Sequence, residues 1–237
     1  MQLAQLSEII LKKIKSNTTI SCSDWPDRIS IPSKITKSIK NLSRYTDPKN
    51  SKKELPSGWE YEQSILFFDG ELLLSEPTAG NYERVKPKHS FSASPQYVSN
   101  SKMFFDLKVD NRKYKSKEYM TDSLVGRDLT YGFIASFHTH PKRIIQTKSI
   151  YSFYSVADLT SLIYGNIPMI GLIWGNSYWL ACKSSSSKIP PLDVLDLITK
   201  EEFQSGIPGV IDMVKQNLLM YDLVFYQASL GNILRRI

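Results

Sequence analysis

Two histidines separated by one residue, His138 and His140, follow an apolar stretch with the composition of a β-strand. Successive side chains of a strand point to opposite faces, so both imidazoles should lie on one face and hold one metal ion. Pro141 ends the strand, because proline has no N–H to donate to a sheet. Farther along, Ser155 and Asp158 open a predicted helix. With the Asp158 carboxylate as third ligand, the set is one that catalytic zinc commonly uses.

Hydrolysis of an amide at such a centre requires two further groups. A general base must take a proton from the attacking water, and a carboxylate suits this task. Glu60 and Glu62 precede a strand-like run that starts near Ser64, and both are candidates for the base. A donor must also stabilise the oxyanion of the tetrahedral intermediate, and the Ser155 hydroxyl is a candidate for it. The same Ser-x-x-Asp spacing is equally typical of a helix capping box formed by Ser155 and Asp158.

The order of these groups resembles the JAMM (MPN+ or JAB) family of metalloproteases, and bacterial JAB-domain proteins in particular. The resemblance rests on a glutamate that enters the first strand and on the His-Thr-His-Pro and Ser-Val-Ala-Asp motifs at 138–141 and 155–158. It covers roughly residues 59–183. It implies that His138, His140 and Asp158 bind one catalytic zinc ion and that Ser155 supports the oxyanion.

The base is less clearly marked, because Glu62 and Gln63 stand where the family usually has small residues. Aligning Ile65 with the family's apolar strand position favours Glu60 as the base, and Glu62 is the alternative. A second departure is the stretch of fourteen residues between His140 and Ser155, which is longer than the family's usual spacing. Since the cost of closing a loop grows slowly with its length, this stretch is tolerable and is expected to form a flap beside the substrate.

The resemblance also implies a fold and a function. The fold would be α/β (α+β), a cytidine-deaminase-like MPN/JAB sandwich of a mixed sheet with flanking helices. Active members of the family cleave peptide or isopeptide bonds, often after the tail of ubiquitin or of a ubiquitin-like protein. Bacterial members occur beside ubiquitin-like conjugation machinery, some of it tied to antiviral defence. The resemblance therefore implies a bacterial zinc metallopeptidase that acts on a ubiquitin-like protein or its conjugate, with an operon-encoded protein as a further expected partner.

Two other functions are compatible with the same residues. One is a catalytically silent MPN-type scaffold for protein interaction, although a scaffold has no physical need for a complete ligand set. The other is a metal-dependent hydrolase that docks on nucleic acid through its N-terminal arm, residues 1–58. The net charge is +7, and this arm holds 11 of the 30 basic residues but only 5 of the 23 acidic ones. Steep salt dependence of nucleic-acid binding would favour that alternative.

Composition indicates a folded protein in a reducing compartment. The hydrophobic content of 41% is enough for a sizeable core. Cys22 and Cys182 are far apart and lack CxxC spacing, which argues against a disulfide scaffold and a cysteine zinc site. The N-terminus does not resemble a signal peptide, and no apolar run approaches the ~20 residues of a membrane span. We therefore expect a cytoplasmic protein without membrane association.

The hydrophobic pattern predicts three segments: the arm 1–58, a metalloprotease domain at 59–187 and a helical extension at 188–237. Within the domain we expect a hairpin with an Asp69-Gly70 turn, a strand from Tyr131 to His138, a helix from Ser155 to Tyr164 and a second hairpin. The second hairpin is formed by 169–174 and 178–183. The remaining predictions are a helix at 3–15, short helices around 32–42, a helix near 95–107, a flexible insertion around 110–121, and helices at about 192–203 and 210–230.

Overall fold

The computed structural model combines a curled mixed sheet with helices, which agrees with the predicted α+β class. It describes residues 1–46, 60–80, 92–98, 102–109, 112–113, 117–120, 130–140, 143–145, 148–150, 153–174, 177–195, 206–229, 231 and 233–237. The helices among them are α1 (Leu3–Lys15), α2 (Ser33–Thr46), α3 (Val156–Tyr164) and α4 (Gly206–Asn217). Residues 192–195 are also helical.

Among the described residues, nine strands form the main sheet. They are β1 (Arg28–Ser30), β2 (Tyr61–Phe68), β3 (Glu71–Leu74), β4 (Thr78–Ala79), β9 (Tyr131–Thr139), β12 (Met169–Trp174), β13 (Ser177–Lys183), β14 (Leu223–Ser229) and β15 (Ile233–Arg236). Their order in the sheet is β1-β15-β14-β13-β12-β9-β2-β3, and β4 pairs with β2. A second sheet contains β5 (Ser92–Val98), β6 (Lys102–Val109), β7 (Arg112–Lys113) and β8 (Lys117–Met120). A third sheet is the pair of β10 (Arg143–Ile145) and β11 (Lys148–Ile150).

The connection from β9 to β12 decides where the chemistry-bearing residues meet. These two strands are parallel neighbours, whereas the other ladders of the main sheet are antiparallel. Parallel neighbours require a crossover, and here α3 lies in the crossover. A crossover helix starts beside the carboxyl end of the strand that precedes it. The end of β9 and the first turn of α3 are therefore brought together.

Each face of the main sheet is covered by its own pair of helices. One hydrophobic cluster joins α1 and α2 to residues such as Tyr61, Ile65 and Phe137 of the sheet. A second cluster joins α3 and α4 to Leu172 and Trp179, among others. Odd-numbered positions near the end of β9 thus face α1 and α2, and even-numbered positions face α3. The architecture is a layered sandwich with the sheet in the middle.

Helices α1 and α2 form because apolar residues recur at helical spacing, as expected for 3–15 and 32–42. Leu6 and Ile10 of α1 and Ile35, Ile39 and Leu42 of α2 are almost completely buried. These side chains lie in the same cluster as the central strands. The described part of the arm, residues 1–46, is therefore packed as one layer of the sandwich, and β1 extends the main sheet.

Both hairpins of the predicted domain are confirmed. Asp69 (φ 43°) and Gly70 (φ 81°) have the positive dihedral angles that a two-residue turn of type I′ requires. Strand β2 is longer than predicted and begins at Tyr61. The strand at 131–138 and the helix at 155–164 also agree with β9 and α3 to within one residue. Strands β12 and β13 pair through six register positions, as the second predicted hairpin.

Two predicted helices are wrong. The segment 95–107 forms the antiparallel pair β5 and β6, in which Pro95 is tolerated because β5 lies at the edge of its sheet. The predicted helix 210–230 ends at Asn217, and Leu223 begins β14. Pairing of β14 with β13 over seven residues outweighs local helical preference in this apolar run, so the C-terminal segment is partly sheet.

Two insertions of the sequence also contain strands. Within 110–121, β7 and β8 both pair with β6, and the other residues there lie outside the described part. Between His140 and Ser155, the expected flap contains the antiparallel pair β10 and β11. Of the helix predicted at 192–203, residues 192–195 are helical and the remainder lies outside the described residues.

Candidate metal centre

His138 and His140 lie at the carboxyl end of β9 on the α3 side of the sheet. Their side chains are 4% and 8% exposed, and their Nε2 atoms are 3.1 Å apart. Two imidazoles come this close because they are two residues apart on one strand face. The predicted juxtaposition of the two histidines is confirmed.

The first turn of α3 adds the third donor. Asp158 Oδ1 lies 3.3 Å from His138 Nε2, and Asp158 Oδ2 lies 3.4 Å from His140 Nε2. Zinc bonds to nitrogen and oxygen measure about 2.0–2.1 Å, so two tetrahedral ligands lie about 3.3 Å apart. The two histidine nitrogens are 3.1 Å apart, and each lies at about that spacing from one carboxylate oxygen of Asp158, 3.3 Å from Oδ1 for His138 and 3.4 Å from Oδ2 for His140. These residues can hold a metal ion, and their donor chemistry is compatible with zinc.

A capping box holds Asp158 in place. Ser155 is the N-cap of α3, and its Oγ accepts a hydrogen bond from the Asp158 N–H at 3.2 Å. In return, Asp158 Oδ2 accepts from the Ser155 backbone N–H at 2.7 Å and from Ser155 Oγ at 2.9 Å. Carboxylate ligands are commonly oriented by such hydrogen bonds. The capping interpretation of Ser155 is confirmed, and the same contacts fix the carboxylate beside the histidines.

Charges around the site reinforce each other. Burial by itself would lower the pKa of His138, but the Asp158 carboxylate, together with Glu60 and Glu62, outweighs it and raises that pKa above 6.5. Burial likewise opposes ionisation of Asp158, yet His138 and His140 keep its pKa well below 3.8. The site is therefore arranged to favour an anionic carboxylate, which is the form that binds metal.

Glu60 and Glu62 both lie on the histidine side of the sheet. Glu62 is directly opposite His138 in the ladder between β2 and β9, and opposite residues project to the same face. Glu60 immediately precedes β2, and its backbone carbonyl accepts a hydrogen bond from Gly80 N at 2.8 Å. Glu62 is 1% exposed, whereas Glu60 is half-buried. The structure brings both candidates for the base close to the centre.

Sequence reasoning did not single out the two serines that contact Glu62. Glu62 Oε1 accepts hydrogen bonds from Ser136 Oγ at 2.6 Å and from Ser64 Oγ at 3.1 Å. The sequence does carry a signal for them, since both are hydroxyl residues inside apolar strands. Ser64 is two residues from Glu62, and Ser136 is two residues from His138. Within the described residues, Glu62 Oε2 is buried and has no hydrogen-bond partner.

Helix α2 supports the metal strand from the opposite face. Thr139, between the two histidines, is buried, and its Oγ1 accepts from the Tyr61 N–H at 3.0 Å. The same oxygen lies 2.6 Å from Thr46 Oγ1 at the end of α2. Thr46 also donates to the Leu42 carbonyl, so the hydroxyls form a continuous chain from helix to strand. The arm thus contributes directly to the position of β9.

Comparisons with protein-family models, with curated proteins and with solved structures find no match to this chain. Among the described residues, no helix combines the length and the apolar composition that a membrane span requires. The functional argument therefore rests on the residues and geometry of the centre.

Proposed function

We propose that this chain is a zinc-dependent metallopeptidase of the JAMM type, with an MPN/JAB-like sandwich around its centre. The observation that carries the proposal is the buried group of His138, His140 and Asp158, in which the two Nε2 atoms are 3.1 Å apart and each lies 3.3–3.4 Å from a carboxylate oxygen of Asp158. Three protein ligands leave a fourth coordination position for the reaction, which distinguishes catalytic from structural zinc sites.

Zinc, when bound, supplies a Lewis acid that polarises a carbonyl oxygen and promotes ionisation of water. Glu62 takes a proton from the attacking water while the water oxygen bonds to the carbonyl carbon. The carboxyl group then returns that proton to the leaving nitrogen as the C–N bond breaks. Ser155 Oγ can turn its hydrogen from Asp158 Oδ2 toward the oxyanion and still accept from the Asp158 N–H.

Glu62 is chosen as the base because of its position and surroundings. It lies directly opposite His138, is nearly inaccessible to solvent, and keeps one carboxylate oxygen without a partner among the described residues. Most buried polar atoms are hydrogen-bonded, and an unpaired carboxylate oxygen beside the metal ligands is suited to take a proton from water. The sequence preference for Glu60 is a competing prediction, and the experiment below separates the two.

The substrate class follows from the resemblance described above. We propose that the substrate is the extended tail of a ubiquitin-like protein or its conjugate, cleaved at a peptide or isopeptide bond. An extended tail can pair with a strand edge through its backbone, which gives affinity without demanding one sequence. The same resemblance is the basis on which we propose a bacterial cytoplasmic setting with an operon-encoded partner.

The test begins with metal content. We expect one zinc per chain in the wild type and loss of zinc in H138A. The control is H89A, which replaces the histidine outside the proposed ligand set and should keep one zinc per chain. Absence of zinc from the wild type, even after zinc is added, would favour the scaffold alternative.

Activity is then measured on a ubiquitin-like protein with a C-terminal 7-amino-4-methylcoumarin amide. E62Q should retain zinc and lose activity by about 10²–10⁴-fold, the usual contribution of a general base. E60Q should stay within about tenfold of the wild type. The reverse ranking would assign the base to Glu60.

A further inference from the structure

The side chains around Glu62 form a two-by-two patch on the α3 side of the sheet. In the β2–β9 ladder, Glu62 is opposite His138 and Ser64 is opposite Ser136. Opposite residues share a face, as do residues two apart on one strand, so all four side chains lie side by side. The register shifts between Ile65 and Leu66, shortly after this patch, and the pairing resumes at Leu66 and Phe133.

Both serine hydroxyls donate to the same oxygen of Glu62. Their distances to Oε1 are 2.6 Å from Ser136 and 3.1 Å from Ser64. The serine hydroxyls are the donors and the carboxylate oxygen is the acceptor in both contacts. The exposed fractions are 1% for Glu62, 1% for Ser64 and 5% for Ser136, so solvent does not compete for these contacts.

Ser64 is itself fixed by a neighbouring buried serine. Its backbone N–H donates to Ser75 Oγ at 2.9 Å, and its carbonyl accepts from the Ser75 N–H at 3.0 Å. Ser136 lies in the central strand β9, which is paired on both sides. The sheet therefore fixes the backbone of both donors beside Glu62.

The distribution of contacts on Glu62 is unequal. Two donors converge on Oε1, while Oε2 has no partner among the described residues. An unpaired buried acceptor is costly, so Oε2 is the oxygen that is available to a water molecule at the centre. We propose that Ser64 and Ser136 are positioning residues that clamp Glu62 through Oε1 and leave Oε2 for the proton transfer. This inference rests on the proposed function of Glu62 as general base.

The experiment uses S64A and S136A, with S136T as the conservative variant that keeps the hydroxyl. S7A is the matched control, because Ser7 is also buried but donates to the Leu3 carbonyl of α1. The first readout needs no substrate. In zinc-loaded protein with ¹³C-labelled glutamate carboxyl groups, the Glu62 resonance is identified by its absence in E62Q. It should shift in S64A and S136A, and keep its position in S136T and S7A.

The second readout is turnover of the coumarin amide of the ubiquitin-like protein. We expect kcat to fall about 10–100-fold in S136A, the usual loss when a supporting contact at a metal site is removed. KM and zinc content should be unchanged, and S136T should restore kcat. Unfolding temperatures of all variants identify any loss of activity that follows from unfolding.

The outcomes are distinguishable. Suppose that the wild type hydrolyses the probe. If kcat in S64A and S136A then equals that of the wild type, or if the Glu62 resonance does not move in them, the serine role alone is overturned. A loss of kcat in S136A that S136T does not restore also overturns it. A wild type that holds zinc but hydrolyses no amide overturns the proposed function, and the serine role with it.

Discussion

Replacing the two ends of the capping box separately should divide stability from metal binding. In the structure, Ser155 Oγ accepts from the Asp158 N–H, and Asp158 Oδ2 accepts from the Ser155 N–H and Oγ. Only Asp158 also contacts the histidines. The variants S155A and D158A therefore each remove one side of the cap, but only D158A removes a ligand.

The magnitudes follow from these contacts. Loss of a capping side chain costs about 1 kcal/mol, so each metal-free variant should unfold about 2–4 °C below the wild type for a chain of 237 residues. Free zinc at about 1,000 times Kd stabilises the wild type by about 4.1 kcal/mol, or about 8–16 °C. If S155A weakens zinc binding about 10–100-fold, about 1.4–2.7 kcal/mol of that response remains. D158A should show almost none.

The assay is thermal unfolding with a chelator and with a fixed free zinc concentration, for the wild type and both variants. The expected order of the zinc-induced rise is wild type, then S155A, then D158A near zero. A full zinc response in D158A would refute the ligand assignment. A complete loss in S155A, equal to that in D158A, would refute the separation of the two roles.

Two further predictions concern the pH profile and the arm. Because the pKa of His138 is raised, its contribution to the stability of the zinc-free fold is complete below pH 6.5 and is lost as the pH rises through the folded-state pKa. Because the pKa of Asp158 is lowered, its contribution is complete above pH 3.8 and is lost as the pH falls through the folded-state pKa. Unfolding temperatures measured with chelator should therefore show a maximum between these values that flattens in D158N; an unchanged profile in that variant would contradict the assignment. Deleting residues 1–46 removes seven buried apolar side chains of α1 and α2, worth about 10–21 kcal/mol together, which equals or exceeds the total stability of most domains. The truncated chain should lack near-ultraviolet circular dichroism and a cooperative transition, and retention of both would show that the arm is separable.

Local pattern was sufficient for the metal ligands. A strand alternates with a period of two, so His138 and His140 had to share a face once the apolar run formed a strand. The Ser-x-x-Asp spacing likewise determined that Ser155 caps a helix and that Asp158 lies in its first turn. The Asp-Gly turn was equally local, since few dipeptides other than those with Asn or Gly adopt its positive φ angles readily.

Local pattern was insufficient where two structures fit the same residues. The apolar run after Asn217 has no decisive period, and it became β14 only because β13 offers an edge with seven pairing positions. The pairing of β5 with β6 likewise outweighs the helical pattern near 95–107. In both segments the hydrogen bonds that decide the structure come from another strand.

The choice between Glu60 and Glu62 shows the limit most clearly. Alternation places Glu60 and Glu62 on one face of the strand, and only the family alignment of Ile65 favours Glu60 over Glu62. The register of β2 against β9 decides which of them lies opposite His138, and that register depends on how the whole strand buries its other face. The sequence by itself therefore determined which residue types could bind zinc. The tertiary structure brought α3 to the end of β9 and set two serines against Glu62, because a sheet register is a property of two strands together.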